Sequence, residues 1–175
     1  MVVVAALILV LSAIAIPHVL VSVDRSKGRA AARFLAGRIT LLRAQAASRG
    51  KTMAMVFERD RRGIAFRVHE DGNGNGVRAA DIIRRVDVPA EESVRLFELF
   101  PGVVIGVAPA TPTDDPIRLG GSDILSFTAS GTSSSGTIYL AGRDGTQWAV
   151  RVLGATARSR VLRYEPESDA WVAPF

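Results

Sequence analysis

MVVVAALILVLSAIAIPHVLVSV, Met1–Val23, runs without a turn signal into DRSKGRAAARFLAGRITLLRAQAASRG, Asp24–Gly50, and the reading of these two stretches decides the fold. The first contains no Asp, Glu, Lys or Arg. At about 1.5 Å of rise per residue, a helix of this length crosses a hydrocarbon layer of roughly 30 Å. Pro17 sits inside the run, where it kinks a membrane helix rather than ending it. The second stretch changes character but keeps a helical period. Phe34, Leu35, Ile39, Leu42 and Ala46 recur at three- and four-residue steps and draw one apolar stripe. Arg25, Lys27, Arg29, Arg33, Arg38, Arg43 and Arg49 occupy the other faces, and Gly50 reads as a C-cap. The expectation is one long helix, apolar all round in its first half and amphipathic in its second. A competing reading takes Ser12-Ala13-Ile14-Ala15 as a signal-peptide cleavage site, which would leave a secreted β-domain as the mature chain. That reading lacks the basic n-region that such signals carry.

Beyond Gly50 the pattern turns to short strands separated by Gly, Pro, Asn and Ser. Thr52–Glu58 and Ile64–His69 flank a polar turn, Arg59–Gly63. Asp81–Val88, Val103–Val107, Ile124–Phe127, Thr137–Leu140, Gln147–Leu153 and Val161–Tyr164 follow, with a Pro-rich loop over Ala108–Ser122. Such spacing predicts antiparallel sheet. The 175 residues thus divide into 1–23, a membrane or filament-core helix; 24–50, an amphipathic spine; and 51–175, a β-rich domain.

Composition removes several classes of chemistry. With no cysteine there is no disulfide framework and no thiol nucleophile. The two histidines, His18 and His69, have no partner at metal-ligand spacing, and no nucleotide or hydrolase fingerprint occurs. The expectation is a protein that is not an enzyme and needs no cofactor. Two segments carry binding chemistry. In Asp71-Gly72-Asn73-Gly74-Asn75-Gly76, oxygen-bearing side chains alternate and glycine stands sixth, as a calcium loop begins. Asp71, Asn73, Asn75 and Asp81 are therefore calcium candidates. The twelfth position is Ile82 instead of the bidentate Glu, which favours a tight turn. Near the C-terminus Arg158, Arg160 and Arg163 form a basic cluster within a net charge of +5, suited to DNA phosphates or to a charged strand edge.

Together these segments resemble one family. MVVVAALILVLSAIAIP looks like the N-terminal helix of type IV pilins and type II secretion pseudopilins. DGNGNGVRAADIIRRVDV, residues 71–88, is similar to a stretch of the H-type pseudopilin and FimT group. ILSFTASG, GTIYL and WAVRVLGATARSR, in residues 124–160, resemble that group's C-terminal half, with Ala157 where the group has glycine before the Arg-x-Arg pair. The resemblance implies an α+β pilin-like fold, a long N-terminal helix packed on antiparallel β-sheet. It implies a minor pseudopilin in a filament with other pseudopilins, supporting protein export from the bacterial inner membrane, single-pass, with a periplasmic domain. Precursors of that group carry a basic leader cut by prepilin peptidase, which is a partner of this chain only if such a leader precedes Met1. A FimT-like minor pilin that binds DNA in transformation is the alternative within the same group. The eight Lys and Arg of residues 25–51 would favour a cytoplasmic flank if taken alone, opposite to that topology.

Overall fold

The computed structural model describes the backbone of residues 2–174 and the side chains of residues 24–174. Helix α1 runs Val2–Arg49. It ends at Gly50, which adopts φ 63°. The Lys51 N–H donates to the Ala46 carbonyl at 3.2 Å and the Gly50 N–H to Ala47 at 3.4 Å, a Schellman closure that only a residue free to enter the left-handed region forms without strain. The expected membrane segment Met1–Val23, with Pro17, lies outside the residues whose side chains are described. Among the described residues no helix is long and apolar enough to cross a membrane.

From residue 24 onward α1 lies against two antiparallel sheets. In the first, the strand order is β3-β2-β1-β6, with β1 Met53–Asp60, β2 Gly63–Glu70, β3 Val88–Pro89 and β6 Ile124–Phe127. The second has the order β10-β9-β8-β7-β4, with β4 Val103–Ile105, β7 Gly136–Gly142, β8 Gln147–Leu153, β9 Arg158–Glu165 and β10 Ala170–Val172. A short β5, Ile117–Arg118, also pairs with β7. Two short helices, α2 Ala79–Ile83 and α3 Leu96–Leu99, interrupt the connections.

The core forms where the stripe of α1 meets both sheets. Ala31, Ala32, Leu35, Ile39, Leu42 and Ala46 are buried against Met53 and Met55 of β1, Leu125 and Phe127 of β6, and Trp148, Val150 and Val152 of β8 in one cluster. Burying each of Leu35, Ile39 and Leu42 stabilises the fold by roughly 1.5–3 kcal/mol. Phe34 sits to one side of this row, half-buried, its ring 5.6 Å from that of Phe100. Near the start of the packed segment the helix approaches β8 so closely that a Cβ on Gly28 would stand 2.6 Å from the Trp148 indole nitrogen. Ion pairs tie the flanks: Arg38 to Glu91, and both Arg49 and Lys51 to Glu70 at 2.9 and 2.6 Å.

Several sequence-based boundaries shift. Asp81–Val88 is not a strand: Ala79–Ile83 is helical, and only Val88–Pro89 pairs with β2. The cause is local hydrogen bonding. The Val86 and Asp87 N–H groups both fold back onto the Asp81 carbonyl, and Arg85 takes φ 58° to allow it. The Pro-rich loop contains β5, and the strand expected at Val161–Tyr164 begins earlier, at Arg158.

Candidate functional site

Three surfaces carry chemistry, and the first is the loop of residues 71–87. Asp71 is nearly buried. Its Oδ1 accepts the N–H groups of Asn73 and Gly74 at 3.1 and 2.8 Å, and its Oδ2 accepts Gly76 N–H at 2.7 Å. Burial opposes the charge on Asp71. The hydrogen bonds from Gly76, Gly74 and Asn73 outweigh it and hold the carboxyl below its ordinary pKa. Asp87, 1% exposed, clamps the other side by accepting Gly72 N–H at 3.1 Å and Arg78 N–H at 2.8 Å. Gly72 is packed so tightly that a Cβ there would overlap the Val86 carbonyl oxygen. Asn75 donates its side-chain amide to Asp81 at 3.1 Å, and its own N–H meets Asn73 Oδ1 at 3.2 Å. The four calcium candidates are thus brought together, and both Asp71 oxygens, Asn73 Oδ1 and Asp81 Oδ2 are engaged by the loop's own donors. Among the described residues no group of three or more His, Cys, Asp or Glu is arranged to hold a metal ion.

What this braced loop presents is apolar. Ile83 is 82% exposed, and Val86 and Val88 are exposed beside it. Arg84 and Arg85 lie between them in the chain and are also exposed. Sequence reasoning missed this surface, because its apolar residues read as strand core. Behind it, on β2, His69 is 2% exposed and its Nδ1 has no hydrogen-bond partner among the described residues. Burial, and then the neighbouring Arg67 charge, lower its pKa and keep it neutral.

The second surface is the face of the larger sheet turned away from α1. Register places Arg151 directly opposite Arg160, and Leu153 opposite Arg158. All four share one face, since side chains alternate along a strand. Like charges placed directly across a ladder are destabilising. At the start of β9, residues 156–160 also border a groove of about 580 Å³ that Thr40 and Arg43 of α1 line from the helix side. Arg163 does not join Arg158 and Arg160. It pairs with Trp148 and therefore projects to the helix side, where it meets Glu165 at 2.7 Å. Further along the outer face, Tyr139, Tyr164 and Trp171 form an aromatic group, with Trp171 5.4 and 5.3 Å from the two tyrosine rings. No spacing in the sequence announces that group; only the register assembles it.

The third surface is the pole at which α1 enters the domain. Two clefts meet there around Arg25 and Arg163, one of about 400 Å³ and one of about 870 Å³.

A family model described as type II transport protein GspH matches residues 31–157. Among solved structures, the minor pseudopilin EpsH from the type 2 secretion system of Vibrio cholerae is similar. Its TM-score is 0.51 at 14% sequence identity, covering 78% of this chain and 97% of that one. At that identity the likeness speaks to the fold: a helix spine on antiparallel sheets. Among curated proteins none matches the sequence significantly.

Proposed function

Since the chain belongs to the type II transport protein GspH family, we propose that it works as a minor pseudopilin: a non-enzymatic subunit of a membrane-assembled secretion filament. The observation that carries the reading is the family match over residues 31–157, which covers α1 from Ala31 onward, the first sheet, and β4, β5, β7 and β8 of the second. In this reading Met1–Val23 anchors the chain in the inner membrane and later packs in the filament core. Asp24–Gly50 is the spine, and residues 51–175 face the periplasm.

The braced loop supplies a contact for a neighbouring subunit. An isoleucine 82% exposed on a pre-organised scaffold loses little conformational entropy when it docks. Arg84 and Arg85, exposed between Ile83 and Val86, favour a neighbour that sets carboxylates beside an apolar patch. The test is secretion in a strain lacking this chain. Wild-type protein is expected to restore export, and Ile83→Asp to be expressed, folded and defective. Full export without the chain would remove the reading.

One observation favours a second reading, DNA binding on the sheet's outer face. Arg151 and Arg160 oppose each other in register, a like-charge arrangement that an anionic ligand relieves. Arg158→Ala with Arg160→Ala is then expected to abolish binding that weakens steeply with salt. Binding that is absent, or indifferent to both salt and these substitutions, removes it.

A further inference from the structure

Residues 71–76 read Asp-Gly-Asn-Gly-Asn-Gly, three successive pairs in which Asp or Asn precedes glycine. The turn itself asks for glycine at two of these positions, since Gly74 and Gly76 hold φ 79° and 85°. That requirement carries a chemical liability. In an Asn-Gly pair the glycine nitrogen, once it has lost its proton, attacks the asparagine Cγ with no side chain in the way. The N–Cγ bond forms, the Cγ–Nδ2 bond breaks, and ammonia leaves with that proton. Water then opens the succinimide ring at either carbonyl and gives aspartate or isoaspartate. An Asp-Gly pair closes the same ring with loss of water and so isomerises without a change of mass. Asn73 and Asn75 are exposed, so the water this chemistry consumes is at hand.

Each attacking nitrogen is tied to a carboxylate. The Gly72 N–H donates to Asp87 Oδ1 at 3.1 Å, the Gly74 N–H to Asp71 Oδ1 at 2.8 Å, and the Gly76 N–H to Asp71 Oδ2 at 2.7 Å. Such a bond opposes the reaction in two ways. A negative charge beside the amide disfavours its deprotonation. The bond also fixes the peptide plane that has to turn for attack. Asp71 and Asp87 are almost fully buried, so little water competes for these bonds. The side-chain ends are anchored as well. Asn75 Nδ2, the leaving group, donates to Asp81 Oδ2 at 3.1 Å, and Asn73 Oδ1 accepts the Asn75 N–H at 3.2 Å.

We infer that residues 71–76 are a latent self-modification site, a succinimide-forming segment that Asp71 and Asp87 hold inactive while the loop is braced. A hydrogen bond to a charged acceptor, broken before each attack, slows the step roughly tenfold to a hundredfold. When the brace opens, the reaction runs and does not reverse. At Asn75 it sets a second carboxylate against Asp81 where an amide donor stood, and an isoaspartate lengthens the chain path by one methylene. The loop that presents Ile83 then fails to close again. The segment thus records whether a copy of the chain has lost its brace.

Mass spectrometry of the full chain, held in detergent at mildly alkaline pH, tests it. Trypsin releases residues 68–78 as one peptide, bounded by Arg67 and Arg78, and fragmentation assigns each amide-to-acid mass increase to Asn73 or Asn75. Incubation in heavy-oxygen water followed by digestion in ordinary water separates prior modification from modification during digestion. The native chain is expected to deamidate at least about tenfold more slowly than the same chain in guanidinium. Asp71→Ala is expected to bring both asparagines close to the denatured rate. Ile39→Ala, weakened in the core but with its brace complete, is expected to stay slow. Asp71→Asn serves if the alanine variant does not fold. It keeps an oxygen for Gly74 and sets NH₂ against the Gly76 N–H, so Asn75 is expected to accelerate more than Asn73. Asn75→Asp, which supplies the product charge without the backbone change, is expected to melt below the wild type. Equal rates in native and denatured wild type, no acceleration in Asp71→Ala, equal acceleration in Ile39→Ala, or the reverse order in Asp71→Asn would each overturn the inference. An unchanged Tm in Asn75→Asp would overturn the claim that the product disables the brace.

Discussion

Replacing Asp71 with alanine removes three hydrogen bonds to a charged acceptor at once: those from Asn73, Gly74 and Gly76. Bonds to a charged group contribute roughly 1.5–3 kcal/mol each, which sets an upper limit. Two effects reduce it. Asn73 and Gly74 are exposed, so water replaces part of the loss, and removing the carboxylate also removes the cost of burying it. A net loss of about 2–4 kcal/mol follows, or roughly 6–12 °C in Tm for a chain of this size. Asp71→Asn should lose about half as much. The asparagine oxygen can keep the two bonds that Oδ1 makes, while its NH₂ is set against the Gly76 N–H. Denaturation of the detergent-solubilised chain, followed by the fluorescence of Trp148 and Trp171, measures both. The carboxyl's lowered pKa gives the linkage a definite sign: this contribution is complete above the unfolded value near 4 and is lost as pH falls through the lower folded value. Millimolar calcium should leave Tm unchanged, since the carboxylate is already occupied. A loss below about 0.5 kcal/mol in the alanine variant, or a calcium-dependent rise in Tm, would refute the account of a self-braced loop.

Other expectations follow from the same contacts. Ile39→Ala, at the centre of the buried stripe, should cost about 2–5 kcal/mol, whereas Leu41→Ala, on the exposed side of the helix, should stay within about 0.5 kcal/mol; chemical denaturation compares them. His69, held neutral by burial, contributes stability that is complete above its unfolded pKa of about 6.5 and lost as pH falls through the lower folded value. The wild type should therefore weaken between neutral and mildly acidic pH more than His69→Gln does in the same melts. Arg151→Glu converts a like-charge cross-strand pair with Arg160 into an opposite one and should raise stability by about 0.2–1 kcal/mol.

The helix stripe was legible because tertiary burial and local periodicity agree: Leu35, Ile39, Leu42 and Ala46 repeat at the helical step and all are buried. Strands Ile124–Phe127 and Gln147–Leu153 were legible for a similar reason, being short apolar runs between turn residues. DIIRRVDV misled because its apolar residues are not core. Ile83 and Val88 face solvent, and the chain's path there is set by the carboxylates of Asp71 and Asp87, whose partners no periodicity reveals. Strands of two or three residues, such as Ile117–Arg118 and Ala170–Val172, exist only through their neighbours and leave no pattern of their own. Grouping Arg163 with Arg158 and Arg160 was a matter of parity. An odd and an even position on one strand face opposite ways, and the cluster therefore splits between two surfaces.

The packing of α1 also has a mechanical consequence. Its buried residues from Ala31 to Ala46 span about 22 Å along the axis and engage both sheets. A pull on the N-terminal end, directed along the helix, loads these contacts in shear and in parallel, so they resist together instead of peeling one at a time. The two sheets share that tension through a single strut. A subunit drawn out of a bilayer by its helix would bring its domain along intact.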